Sequence, residues 1–144
     1  GHAPRTRPLT MFAARVLAFV AAAVVGVSAL PADVKPRSVT TGKATFYNSG
    51  MSQGNCGWWS TENDHVVALN TKMYGSTKVK SDHCGKLIRI VNKANNKVMH
   101  AVVADSCPTC EEGALDLSTG LFRILSDGKM DLGVLPIEWS FISP

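Results

Sequence analysis

No apolar run in this 144-residue chain reaches the about 20 residues that a membrane-spanning helix needs. The one uncharged apolar stretch, Val16 to Leu30, stops short of that. It follows Met11 and an early positive charge at Arg15, and it exits through the small-residue sets Val27-Ser28-Ala29 and Leu30-Pro31-Ala32. A basic start, an apolar middle and a small-residue exit describe a signal peptide over residues 11–32, cut after Ala29 or Ala32. Residues 1–10 are then an upstream extension or a cloning remnant. The expected product is secreted, with no membrane contact after cleavage. A basic patch is also missing. Of 15 Lys and Arg against 11 Asp and Glu, Arg5, Arg7 and Arg15 precede the cut, leaving 12 against 11 and a net charge of +1. That balance, with Lys78 and Lys80 as no more than a short basic run, excludes a nucleic-acid partner. There is no internal repeat and no low-complexity tract.

Metal-ligand spacing is scarce as well. His65, His83 and His100 have none, so no metal and no cofactor are expected. Cys107-Pro108-Thr109-Cys110 has zinc-like spacing, but Cys56 and Cys84 do not form a second close pair. An even count of cysteines in an exported small domain points instead to two disulfides. Of the three connectivities, Cys56–Cys84 with Cys107–Cys110 is the one expected. No nucleophilic centre is evident, because Ser118 is better placed as a helix cap and no His is tied to it.

Residues 33–41 read as a linker and 42–143 as one small domain. Strands are expected at 42–47, 65–69, 86–92, 97–104 and 137–142, with a hairpin turn at Ala94-Asn95-Asn96. Asn70 is expected to cap a short turn ended by Gly75. Ser118 is expected to cap a helix carrying Leu121, Phe122 and Leu125 and ended by Gly128. Six or so short strands and one late helix suggest a small barrel. Asp105 closes an apolar strand, and Asp116 sits between Leu115 and Leu117. Such carboxyls have raised pKa values unless paired. They read either as two acids on one groove or, for Asp116, as a helix or turn cap.

Several ordered motifs carry a resemblance. Gly42-Lys43-Ala44-Thr45-Phe46-Tyr47, then Asp105, then Gly113-Ala114-Leu115-Asp116-Leu117-Ser118 with Phe122, resemble the first domain of expansins. Cys56-Gly57-Trp58, Val66–Leu69, Cys107-Pro108-x-Cys110 and Ile137-x-Trp139-Ser140-Phe141 resemble the loosenins, single-domain fungal expansin-like proteins. The likeness implies a mainly β, six-stranded double-psi β-barrel with one or two short helices, stapled by disulfides, and an expected monomer. It implies binding of cell-wall polysaccharide, cellulose or chitin, and its non-hydrolytic loosening. Asp116 matches the essential groove carboxylate and the general acid of related endoglucanases, and Asp105 a second groove carboxylate. Thr45 and Tyr47 match first-strand groove residues. Trp58 and Trp59, with Tyr47, are candidate sugar-stacking rings, whereas Trp139 is expected in the core.

An inverting glycosidase also needs a carboxylate base. In the endoglucanases it follows the first-strand aromatic, where Asn48 stands here, so no catalytic residues and no enzyme activity are expected. Similar small double-psi domains act as secreted cysteine- or serine-protease inhibitors. In that alternative the loops Asn48–Asn55 and Thr77–His83 would do the binding. A third reading, a lytic transglycosylase like rare lipoprotein A, lacks its recognisable catalytic region near the second strand.

Overall fold

The computed structural model describes residues 38–142. The expected extension 1–10, the signal peptide 11–32 and the first part of the linker 33–41 lie outside the described residues.

The chain runs β1 (Thr40–Tyr47), β2 (Val66–Asn70), α1 (Thr71–Tyr74), β3 (Leu87–Asn92) and β4 (Val98–Cys107). It continues as β5 (Leu115–Ser118), α2 (Thr119–Leu125), a 3-10 turn at Met130–Leu132, and β6 (Leu135–Phe141). The strands close in the order β1-β5-β2-β4-β3-β6. β1 pairs with β5 and β2 with β4 in parallel, and the other four pairings are antiparallel. This is a six-stranded double-psi β-barrel. Its core follows from a period of two along the strands. In β3, Ile88, Ile90 and Asn92 point inward. In β6, Leu135, Ile137 and Trp139 do so. β2 is buried along its whole length, as a strand with parallel and antiparallel neighbours and no solvent face must be. Trp139 is in the core, and its indole N–H donates to the Gly113 carbonyl at 2.9 Å. Asn70 and Asn92 are also buried. Their side-chain amides donate to the carbonyls of Ala114 and Leu125, so each strand end carries its own polar tie.

Five local expectations change. Thr40 and Thr41, read as the end of a linker, are the first residues of β1 and pair with Trp139 and Glu138. Leu115–Ser118 is a strand, although only four residues long and not among the strands expected. Asp105 lies inside β4 rather than at its end. Ser118 occupies the N-cap position of α2, but its hydroxyl makes no cap bond and donates to the Asp64 carbonyl at 2.5 Å. The helix also stops at Leu125, short of Gly128. Asn70 does cap α1, accepting from the Met73 amide at 3.1 Å. Cys56 is bonded to Cys84 and Cys107 to Cys110. No described helix is long and apolar enough to cross a membrane.

Candidate functional site

Three adjacent strands place the polar residues. Ala68 of β2 is opposite Asp116 of β5 on one side and Asp105 of β4 on the other. The two carboxylates therefore sit in one row of the barrel with a single strand between them. On the far side of β5, Thr45 of β1 is in register with Asp116. Its hydroxyl donates to Asp116 Oδ1 at 2.8 Å. Tyr47 lies two residues along β1, hence on the same face, and its phenol is close enough to the Asp105 carboxylate to feel its charge. The structure thus brings together Thr45, Tyr47, Asp105 and Asp116.

The two acids differ in their surroundings. Burial raises the Asp116 pKa above the ordinary carboxylate value. The Thr45 hydrogen bond works against that shift, and the nearby Asp105 charge adds to it. Burial, followed by the charges of Asp105 and Asp116, pushes the Tyr47 phenol well above its usual range, so Tyr47 stays a hydrogen-bond donor. Asp105 Oδ1 accepts from the backbone amides of Asn55 and Ser106, both at 2.8 Å. The first of these bonds ties the loop after β1 to the barrel. Asn55 was not singled out from sequence. It sits in a Gly-Asn turn signal, but its partners Asp105 and Ser106 are 50 and 51 residues away.

Beside Asp116 is an open cleft of about 250 Å³, lined by residues that include Lys43, Thr45, Glu111, Ala114 and the Cys107–Cys110 bridge. Cys107, Cys110 and Asp116 form a metal-like cluster. With the sulfurs bonded to each other, the carboxylate is its one remaining ligand group.

Trp58 and Trp59 come from the loop after β1. They lie on the loop that Asp105 anchors. Trp58 is half-buried against the core, with the Lys80 ammonium 5.4 Å from its ring centroid. Trp59 is 66% exposed. Asn48 points into a local turn, where its Oδ1 accepts from the Gly50 amide at 3.1 Å. The Asn48–Trp59 loop bonds to itself through Gly57 N to Gly54 O at 2.8 Å and Gln53 Nε2 to Gly57 O at 2.6 Å. It joins the 75–86 loop through Cys56–Cys84 and through Asn55 Nδ2 to Thr77 O at 3.3 Å. Two disulfides in so small a domain are the signature of an oxidising compartment.

No family model matches the chain. It is similar to a curated papain inhibitor of Streptomyces mobaraensis, 24% identical over 140 residues, which is 96% of this chain and 96% of that protein. The solved Streptomyces papain inhibitor superposes with a TM-score of 0.63 at 26% identity, over 75% of this chain and 98% of that one. A mutant Clavibacter michiganensis expansin in complex with cellohexaose also gives a TM-score of 0.63, at 28% identity, over 74% of this chain. The match spans about half of that expansin, 51% of its length.

Proposed function

We propose that this protein is a secreted inhibitor of papain-type cysteine proteases. The observation that carries this reading is the near-complete mutual overlap with the papain inhibitor: 96% of both chains in sequence and 98% of the inhibitor's chain in structure. The loop pair adds physical support. The Asn48–Trp59 and 75–86 loops are held by a disulfide and by Asp105. They present Trp59, Met51 and Val79 to solvent, with Met51 75% and Val79 64% exposed. A rigid apolar edge loses little entropy on docking, and an exposed Trp is a typical binding hot spot. Titrating papain with the recombinant protein should reduce its turnover of a peptide substrate. Trp59→Ala should weaken inhibition at least about tenfold. Full papain activity in the presence of excess protein would overturn the reading.

The groove supports a second reading, binding of a wall polysaccharide such as cellulose or chitin. The Thr45–Asp116 and Tyr47–Asp105 pairs offer acceptors and donors in one row, and the expansin relative was crystallised with cellohexaose. The finer likeness to loosenins rests on residue motifs alone. Under this reading the groove binds without cleaving, because the amide of Asn48 cannot take a proton at neutral pH. On insoluble cellulose or chitin, Asp116→Ala should lower the retained fraction several-fold without change in soluble sugar. Equal retention of the variant and the parent would remove Asp116 from the site.

A further inference from the structure

Cys107 and Cys110 stand where β4 leaves the barrel. Their sulfurs and a carboxylate oxygen of Asp116 all lie within 4.8 Å of one another. The bridge forms part of the cleft wall beside Thr45 and Lys43. Cys107 is buried and Cys110 half-buried, so the cleft offers Cys110 as the sulfur to attack. The sequence separation of this pair is 3, against 28 for Cys56–Cys84. Cys-x-x-Cys is a spacing at which a cysteine pKa can be lowered, which favours the thiolate that thiol–disulfide exchange uses. The Cys56–Cys84 bridge instead rests against the core, with Cys56 only 1% exposed.

We propose that Cys107–Cys110 is a redox-active disulfide that exchanges with an external dithiol, and that Asp116 supplies the proton to the departing Cys107 sulfur. One thiolate of the dithiol attacks Cys110 Sγ. A mixed disulfide forms as the Cys107–Cys110 bond breaks, and the electron pair leaves on Cys107 Sγ. The Asp116 carboxyl hands this sulfur its proton and recovers one from water. The second dithiol sulfur, as thiolate, then attacks the first. It closes the dithiol into its own disulfide and releases Cys110, which is protonated by solvent. Two electrons and two protons pass from the dithiol to the protein. Burial favours the acid form of Asp116 that this step needs. The other groups facing it are Lys43 and Tyr47 of β1, Asp105 of β4 and Glu111 of the following loop. Lys43 is the cation among them, and it favours thiolate in the cleft.

The full chain, treated with dithiothreitol and then alkylated, reports each cysteine separately by mass spectrometry. Cys107 and Cys110 should open at least about tenfold faster than Cys56 and Cys84. The rate, divided by the concentration of reductant thiolate, should fall about tenfold as pH rises from the ordinary carboxylate value of 3.8 through the raised one, as Asp116 loses its proton and repels both sulfurs. Asp116→Asn should flatten that profile. Simultaneous opening of both bridges, earlier opening of Cys56–Cys84, or a flat profile in the parent chain would each overturn the proposal. So would an unchanged slope in Asp116→Asn. The first three outcomes need no variant.

Discussion

An ionised Asp116 loses much of its hydration where β1 and β5 close over it, and Thr45 replaces only one water with a hydrogen bond. The folded state therefore holds the Asp116 proton more tightly than the unfolded chain does. Where the folded pKa lies above the unfolded one, the native state binds more protons, so stability falls as pH rises from the ordinary value of 3.8 through the raised one. Asp116→Asn keeps an acceptor for Thr45 and removes the charge. Thermal melts of the two proteins should give a Tm difference in favour of the variant that grows as pH rises through that window and then levels off. A parallel pair of Tm profiles would show that Asp116 carries no such penalty. Asp105 Oδ1 accepts from two backbone amides. Its choice as a groove residue came from motif position. Its role as a loop anchor was not legible, because the Asn55 partner is 50 residues away and no local pattern encodes that distance.

Among the elements, the two disulfides serve unequal loops. Closing the long loop between Cys56 and Cys84 stabilises by about 3.5 kcal/mol, and closing the short one between Cys107 and Cys110 by about 2 kcal/mol. Replacing Cys56 and Cys84 with alanine should therefore lower the unfolding free energy by about 3 to 4 kcal/mol, read from urea midpoints. Under the inhibitor reading, the same change should weaken papain inhibition, since the two loops would no longer be ordered before binding. Strand β6 was legible because its apolar residues alternate over seven positions, and β3 because it is a short run rich in branched apolar residues. β5 was not, because four residues are too few to establish a period and the helix begins at the next one. Ser118 shows the same limit. Its residue type signals a cap, but the barrel brings the Asp64 carbonyl to its hydroxyl across 54 residues.

For the molecule as a whole, barrel closure depends on how near the loop before β5 comes to β1. A Cβ on Gly42 would lie 2.2 Å from the Gly113 carbonyl oxygen, and one on Gly113 2.7 Å from that of Thr41. Both obstacles are backbone atoms with no rotamer to give way. Gly42→Ala should consequently cost about 2 to 4 kcal/mol in denaturant unfolding. A loss under about 0.5 kcal/mol would mean that the seam has slack. The barrel class was legible from the number and spacing of short strands, together with the family motifs. The parallel pairings were not, since local sequence says nothing about which distant strand lies alongside. Those pairings bear on what happens when a protease bites. A single cut between Tyr47 and Val66 would leave Thr40–Tyr47 laddered to β5 and β6, with the loop still stapled through Cys56 and anchored by Asp105. Cut on the C-terminal side of Cys56, the nicked chain has no fragment free to diffuse away, so the loop would remain in place after the peptide bond is gone.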